Sequence, residues 1–291
     1  MNHKMREKCK YALLAFVIGC AILIWIMVSS ESRAAVLTIA FLDVGQGDAI
    51  YIESPSGNQV LIDGGKDATV VRQLSGIMPY YDRSLDLLIG THPDADHIGG
   101  LVPILEGFQV GAVMLSSVMG DTALAVTLAE KITEEYALEI EANRGQVVDL
   151  GGGATLTILF PDRNLADAEN NLASVVARLD YGATSVLLLG DTPKVIEEYL
   201  VLLDGEELNV DILKLGHHGS RTSTADAMVH MSSPEYAIVS AGCGNSYGHP
   251  HKEVIEMLTS FEVKVLSTCE EGTILFRSDG AKFKKVDPAD L

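Results

Sequence analysis

Thr91-His92-Pro93-Asp94-Ala95-Asp96-His97-Ile98-Gly99-Gly100 places two histidines and two aspartates within six residues, directly after the apolar run Leu85–Gly90. A turning backbone at this spacing can converge alternate side chains, and the paired glycines let the next segment pack closely. The competing reading is a solvated acidic turn with incidental histidines. Crowded carboxylates repel one another unless a cation joins them, so two acids between two imidazoles at a strand end favour a metal site.

Outward from this decamer the chain alternates two kinds of segment. Val36–Asp43, Ala49–Glu53 and Gln59–Ile62 are short apolar and β-branched runs, and Ser54-Pro-Ser-Gly-Asn58 between the last two has the chemistry of a hairpin turn. Thr69–Ser75, Ile98–Gly107, Thr122–Tyr136, Pro193–Leu203 and Lys252–Ser260 have helical spacing. Val110–Leu115, Leu138–Asn143, Thr155–Phe160, Val175–Tyr181, Ser185–Gly190, Val210–Gly216, Tyr236–Ala241 and Val263–Ser267 read as strands. Strands interleaved with helices predict sheets covered by helices, an α/β layered fold. No fixed-period repeat or low-complexity linker divides the chain, so 36–291 reads as one domain.

Several further motifs accompany the decamer in order: Phe41-Leu-Asp-Val-Gly-Gln-Gly-Asp-Ala49, Leu61-Ile-Asp-Gly-Gly65, Asn170-Asn-Leu-Ala-Ser174, Leu189-Gly-Asp-Thr192, His217-His-Gly-Ser220 and Tyr247-Gly-His-Pro250. Together they resemble the metallo-β-lactamase superfamily and, within it, the hydrolase domain of ComEC/Rec2-type competence proteins, over roughly Val36 to Phe276. The resemblance implies a four-layer αββα sandwich and two divalent metal ions. His92 and Asp94 would belong to the first ion and Asp96 and His97 to the second, with Asp191 bridging both, since a carboxylate has one oxygen for each. His218 or its neighbour His217 would complete the second site. Asp191 could equally cap the helix that follows it. Asp63, Asp43, Asn171 and His217 would orient ligands from behind. Asp43 and Asp48 flank the glycines of Gly45-Gln-Gly47, where either could be a turn residue; that segment is no dinucleotide fingerprint, because a hairpin strand follows it.

Two departures from the superfamily pattern shape the chemistry. Asp94 stands where most members have histidine, and no histidine occurs between His97 and His217, so the usual third one is missing. Asn170, Asn171 or Ser174 occupies that stretch. The donor set is rich in oxygen, which makes Mn²⁺ a competitor to Zn²⁺. The implied reaction is hydrolysis of a phosphodiester by a metal-activated water, with Asp96 holding the water or taking its proton. His249 and Ser220 would donate to substrate oxygens. The substrate class includes single-stranded DNA. Smaller phosphoesters, non-phosphate esters and a non-catalytic metal-stabilised binding module are the alternatives. The channel portion of the competence proteins is not among these motifs, so DNA transport is not implied.

Residues 1–35 are different material. Lys4, Arg6, Lys8 and Lys10 precede an uncharged run from Tyr11 to Val28, long enough at about 1.5 Å per residue to cross a bilayer. The basic flank predicts that the rest of the chain is exported, either anchored at the outer membrane face or secreted after cleavage near Ser32-Arg33-Ala34. Residues 1–33 hold five of the 21 basic residues and two of the 40 acidic ones, leaving sixteen against 38 and a net charge of −22 beyond them. Such a surface disfavours gripping nucleic acid through a basic face. Cys243 and Cys269 each follow a predicted strand with a helix between, a β–α–β arrangement that could bring them to one sheet edge. Export permits a disulfide there; two separately buried thiols are the alternative.

Overall fold

The computed structural model describes residues 3–33, 36–165 and 168–290, with side chains in the first segment described for 8 and 10–25. It is built on two sheets. β1 (Leu37–Phe41), β2 (Ile50–Glu53), β3 (Gln59–Ile62), β4 (Ser84–Gly90), β5 (Gln109–Leu115) and β6 (Leu138–Glu141) run side by side in that order. The second sheet holds β7 (Val147–Gly151), β8 (Ala154–Phe160), β9 (Val176–Tyr181), β10 (Thr184–Leu188), β11 (Ile212–Lys214), β12 (Tyr236–Val239) and β13 (Lys264–Ser267). β14 (Ile274–Ser278) returns to pair with β1, and β15 (Phe283–Val286) extends that edge. The predicted turn at 54–58 closes the antiparallel β2–β3 hairpin.

The near-continuous apolar runs follow from burial of both sheet faces. Along β1 and into the residue after it, Ile39 and Phe41 enter a core between the sheets, while Ala40 and Leu42 enter a second core under the helices. Across the molecule Leu188 and Ile212 meet the inner core, whereas Leu187, Leu189, Leu213 and Leu215 line a third beneath the opposite helices. Each of the buried leucine, isoleucine and phenylalanine side chains contributes about 1.5–3 kcal/mol. These three apolar layers, set between helices, sheet, sheet and helices, are the predicted αββα sandwich.

The helices carry their own local logic. α1 (His3–Arg33) precedes the sheets, and α2 (Thr69–Leu74), α3 (Ala95–Ile98), α4 (Leu101–Gly107) and α5 (Ala123–Glu135) accompany the first of them. In α5, Ala125, Leu128 and Ile132 recur on one buried face. Thr122 caps it by accepting the Ala125 amide, and left-handed Tyr136 stops it. α6 (Lys194–Asp204), α7 (Asp226–Ser232) and α8 (Lys252–Ser260) cover the second sheet. The apolar side chains of α1 from Tyr11 to Trp25 are exposed. Among the described residues no helix is long and apolar enough to cross a membrane. The end of the predicted run at 26–28 and the Ser32-Arg33-Ala34 site lie outside the residues whose side chains are described.

β12 and β13 are parallel, with α8 between them, and Cys243 and Cys269 beyond their ends are joined in a disulfide with Cα atoms 5.0 Å apart. The closed loop spans a sequence separation of 26, for which chain-entropy arguments give about 3 kcal/mol. Reduction, or Cys243→Ser, should therefore lower the melting temperature by about 5–10 °C; a scan with and without dithiothreitol measures it, and an unchanged midpoint refutes the assignment.

Glu197 on α6 is fully buried and accepts the Thr224 and Ala225 amides at 2.9 and 2.5 Å. Burial raises its pKa to about 7, against the opposing pull of those two amides. A carboxyl raised in the fold stabilises most below its unfolded value and loses that contribution as pH climbs through the folded one. Relative to Glu197→Gln, the wild type should lose about 3 kcal/mol between pH 4 and pH 8 in urea unfolding. A constant difference between the two proteins would contradict it.

Candidate metal centre

The site lies where the two sheets meet, at the carboxyl ends of their strands, the position at which α/β sheets bind ligands. β4 delivers His92 and Asp94, and α3 carries Asp96 and His97. β10 delivers Asp191, β11 delivers His217 and His218, and the 170–174 turn approaches from the start of β9. Val175 donates its amide to the Thr91 carbonyl at 3.0 Å, and His217 to that of Gly190, which locks these strand ends together. Glycine is required beneath them. A Cβ on Gly47, whose φ is +119°, would lie 1.9 Å from the Asp96 carbonyl oxygen. On Gly100 it would meet the Gly64 carbonyl oxygen at the same distance.

Asp191 is the hub. Its Oδ1 lies 3.4 Å from His97 Nε2, and its Oδ2 lies 3.8 Å from His92 Nε2, 3.7 Å from His217 Nε2 and 3.6 Å from His218 Nε2. His218 Nε2 is also 3.5 Å from Asp96 Oδ2, and His92 Nε2 is 3.7 Å from Asp94 Oδ2. Donor atoms about 2.1 Å from one ion at tetrahedral angles stand about 3.4 Å apart, so these spacings suit a shared cation better than direct hydrogen bonds. His92 Nε2, His97 Nε2, His218 Nε2 and Asp191 Oδ1 are buried with no hydrogen-bond partner. Four orphaned atoms aimed at one another fit divalent metal, because leaving each unpaired costs about 1–3 kcal/mol.

The remaining nitrogens of His92 and His97 are held from behind. Asp63 Oδ2 lies 2.7 Å from His97 Nδ1, and the same carboxylate accepts both the Thr91 amide and hydroxyl. Thr91 Oγ1 in turn sits 3.0 Å from His92 Nδ1. Asp63 adopts φ +56°, a strained conformation for a non-glycine residue, which over-determined contacts of this kind maintain. Asp63→Asn should lower metal affinity by about 10–100-fold without unfolding the chain. Competition titration with a chelating dye tests this, and wild-type affinity would remove Asp63 from the site.

His218 is backed by Asp48, whose Oδ1 is 3.3 Å from Nδ1 and whose Oδ2 is paired with the fully buried Lys214 at 2.7 Å. Burial raises the Asp48 pKa, but the Lys214 ammonium and His218 outweigh it and hold the carboxyl below its usual range. Asp191 is likewise drawn well below normal: burial opposes ionisation, and the surrounding histidines win. His218 is pushed up to about 9 by Asp191 and Asp48 in spite of burial.

Most predicted residues converge here, and three are placed differently. Asp43 binds no ligand histidine; its Oδ1 accepts the Gly45 amide within its own turn, and Asp48 across the glycines takes the orienting role. Ser220 is buried, with its hydroxyl paired to Thr222 rather than turned to the cluster. Asp191 does not cap the following helix, whose N-cap is Pro193. In the stretch lacking histidine, Asn170 Nδ2 donates to Asp94 Oδ1 at 2.6 Å, Asn171 Nδ2 is 3.4 Å from His217 Nδ1, and Ser174 Oγ accepts the Asp191 amide. Sequence reasoning missed Lys214, though a lone lysine between leucines in a buried strand was a visible signal. His249 is half-buried beside His217 and His218, and burial together with those neighbours lowers its pKa to about 4. A cleft of about 660 Å³ opens outward from Asp94, Asn170, Asn171 and His217.

Comparison with known proteins identifies the family and the fold. The family model described as metallo-beta-lactamase superfamily matches residues 42–242. The chain is similar to ComE operon protein 3 of Bacillus subtilis (strain 168), 28% identical over 92% of this chain and 35% of the relative. It is similar also to Recombination protein 2 of Haemophilus influenzae, 31% identical over 80% of this chain and 28% of the relative. The chain thus spans about a third of the length of these curated relatives. Among solved structures, CmlA, a diiron beta-hydroxylase from Streptomyces venezuelae, shares the fold with a TM-score of 0.53, 13% identity, and coverage of 86% of this chain and 54% of that one.

Proposed function

Since this chain belongs to the metallo-β-lactamase superfamily, on its ComEC/Rec2-like branch, we propose that it is an exported, metal-dependent phosphodiesterase that cleaves single-stranded DNA or a smaller phosphodiester. The observation that carries this reading is the orphaned set of His92 Nε2, His97 Nε2, His218 Nε2 and Asp191 Oδ1, in a site where Asp96 and Asp191 stand among the imidazoles and Asp94 approaches His92 at 3.7 Å. Two divalent ions, Mn²⁺ or Zn²⁺, would supply Lewis acidity toward a phosphoryl oxygen and a water. His92, Asp94, Asp96, His97, Asp191 and His218 are the residues that would hold them.

The chain's own contribution is placement and proton handling. Asp96 is part-exposed and ionised at neutral pH: burial raises its pKa, but His218 and His97 bring it to about 2. Ionised, it can hydrogen-bond and orient a water at the cleft; a carboxyl held this low is too weak a base to take that water's proton at neutral pH. His249 carries an unpartnered buried Nδ1 and stays neutral at pH 7, suited to hydrogen bonding with a substrate oxygen. His217 and Asn171 line the open side, where an ester would enter. The basic flank and exposed apolar side chains of α1 support export with the hydrolase outside the membrane.

Incubation of the purified chain with Mn²⁺ or Zn²⁺ and single-stranded DNA tests the proposal. Metal-dependent cleavage that is lost in Asp96→Ala supports it. Intact DNA with hydrolysis of bis-p-nitrophenyl phosphate restricts the substrate to small phosphodiesters, the outcome the acidic surface favours. Bound metal without turnover on either substrate would leave a metal-stabilised binding module.

A further inference from the structure

A row of rings leads outward from the candidate metal centre. His249 lies 6.1 Å from His218 and 5.3 Å from His217, centroid to centroid, and Tyr247 stacks on His249 at 5.7 Å with 21° between the planes. Tyr247 is 65% exposed, so most of its ring beside His249 is open to solvent. The loop that presents it is fixed rather than slack. Asn245 Oδ1 accepts the Tyr247 and His249 amides, and Asn245 Nδ2 donates to the Gly242 and His249 carbonyls. His251 donates its amide to Gly219 beside the ligand loop, and the Cys243–Cys269 disulfide anchors the other end. An aromatic face preorganised in this way loses little entropy when a planar group covers it.

Charge decides what that group is. With a net −22 beyond residue 33, phosphates away from the metals meet net repulsion, and the backbone of a strand is a poor source of affinity. Affinity must then come from uncharged faces, and aromatic stacking is the term that nucleobases offer regardless of sequence. We infer that Tyr247, backed by His249, is a subsite for a nucleobase of the nucleotide adjoining the scissile phosphate. Two ring-to-ring steps, 5.7 Å from Tyr247 to His249 and 6.1 Å from His249 to His218, bound how far from the ligand histidine a stacked base would sit. The subsite rests on the phosphodiesterase reading for its position and on stacking for its affinity.

The test uses the full chain with Mn²⁺ and a short single-stranded oligonucleotide, beside one of equal length that is abasic throughout, following both cleavage and fluorescence-anisotropy binding. Tyr247→Ala should raise KM and Kd for the base-bearing strand about tenfold, leave kcat unchanged, and leave the abasic strand unaffected; Tyr247→Phe should behave as wild type. Base-dependent binding that disappears in Tyr247→Ala while neither protein cleaves would retain the subsite and sink the nuclease reading. Cleavage with equal KM for wild type and Tyr247→Ala, a penalty equal on both strands, or no preference of the wild type for bases would overturn the subsite.

Discussion

Asp191→Ala is expected to empty the site and to abolish hydrolysis, with a rate loss of about 1000-fold or more, about 4 kcal/mol in transition-state terms. The argument is geometric. Both Asp191 oxygens face imidazole nitrogens at 3.4–3.8 Å, one toward His97 and the other toward His92, His217 and His218. No second carboxylate spans that set, since Asp96 reaches only His218 and Asp94 only His92 among the described ion pairs. Asp191→Asn keeps the shape but removes the charge and one acceptor, so it should retain the fold and fail equally in turnover. Metal content by elemental analysis after dialysis, together with bis-p-nitrophenyl phosphate hydrolysis, reads both effects. A variant that keeps its metals and its rate would show that Asp191 is not the bridge.

The hub was legible in the chain because its ingredients are local: a histidine–aspartate decamer after an apolar run, an aspartate after another, and a histidine pair after a third. The layers were legible for a related reason. Runs such as Leu187-Leu188-Leu189 are apolar at every position because both sheet faces are covered, and that pattern survives without knowledge of the partners. What stayed hidden depends on contacts distant in sequence. Asp43 and Asp48 flank the same turn, and only the approach of β11 from the other sheet selects Asp48 for His218. His217 and His218 both adopt left-handed backbone, and their burial differs because one turns inward and the other toward the cleft. Ser220 sits in a motif yet is claimed by Thr222 two residues on, a local competition that composition does not display. The disulfide was one of two open readings, decided by the register that sets β12 beside β13.

Lys214→Ala should destabilise the chain by about 3–5 kcal/mol, more than any surface charge could. Lys214 is fully buried, its ammonium is paired with Asp48 at 2.7 Å, and it also donates to the Leu215 carbonyl at 3.0 Å. Removing it leaves the ionised Asp48 with His218 as its remaining ion-pair partner, so the desolvation of the buried carboxylate is offset far less. The loss should also reach the metal site, because the same carboxylate orients His218 through its other oxygen. Two consequences can be separated by a double replacement. Lys214→Met with Asp48→Leu substitutes apolar groups for the whole pair, which for buried ion pairs is often neutral or stabilising, so urea unfolding should return toward wild type. Metal affinity should not return, since His218 Nδ1 would then face a methyl group, and a deficit of about 10–100-fold should persist. Recovery of both properties would mean that the pair serves packing alone; recovery of neither would mean that Lys214 stabilises through some contact other than Asp48.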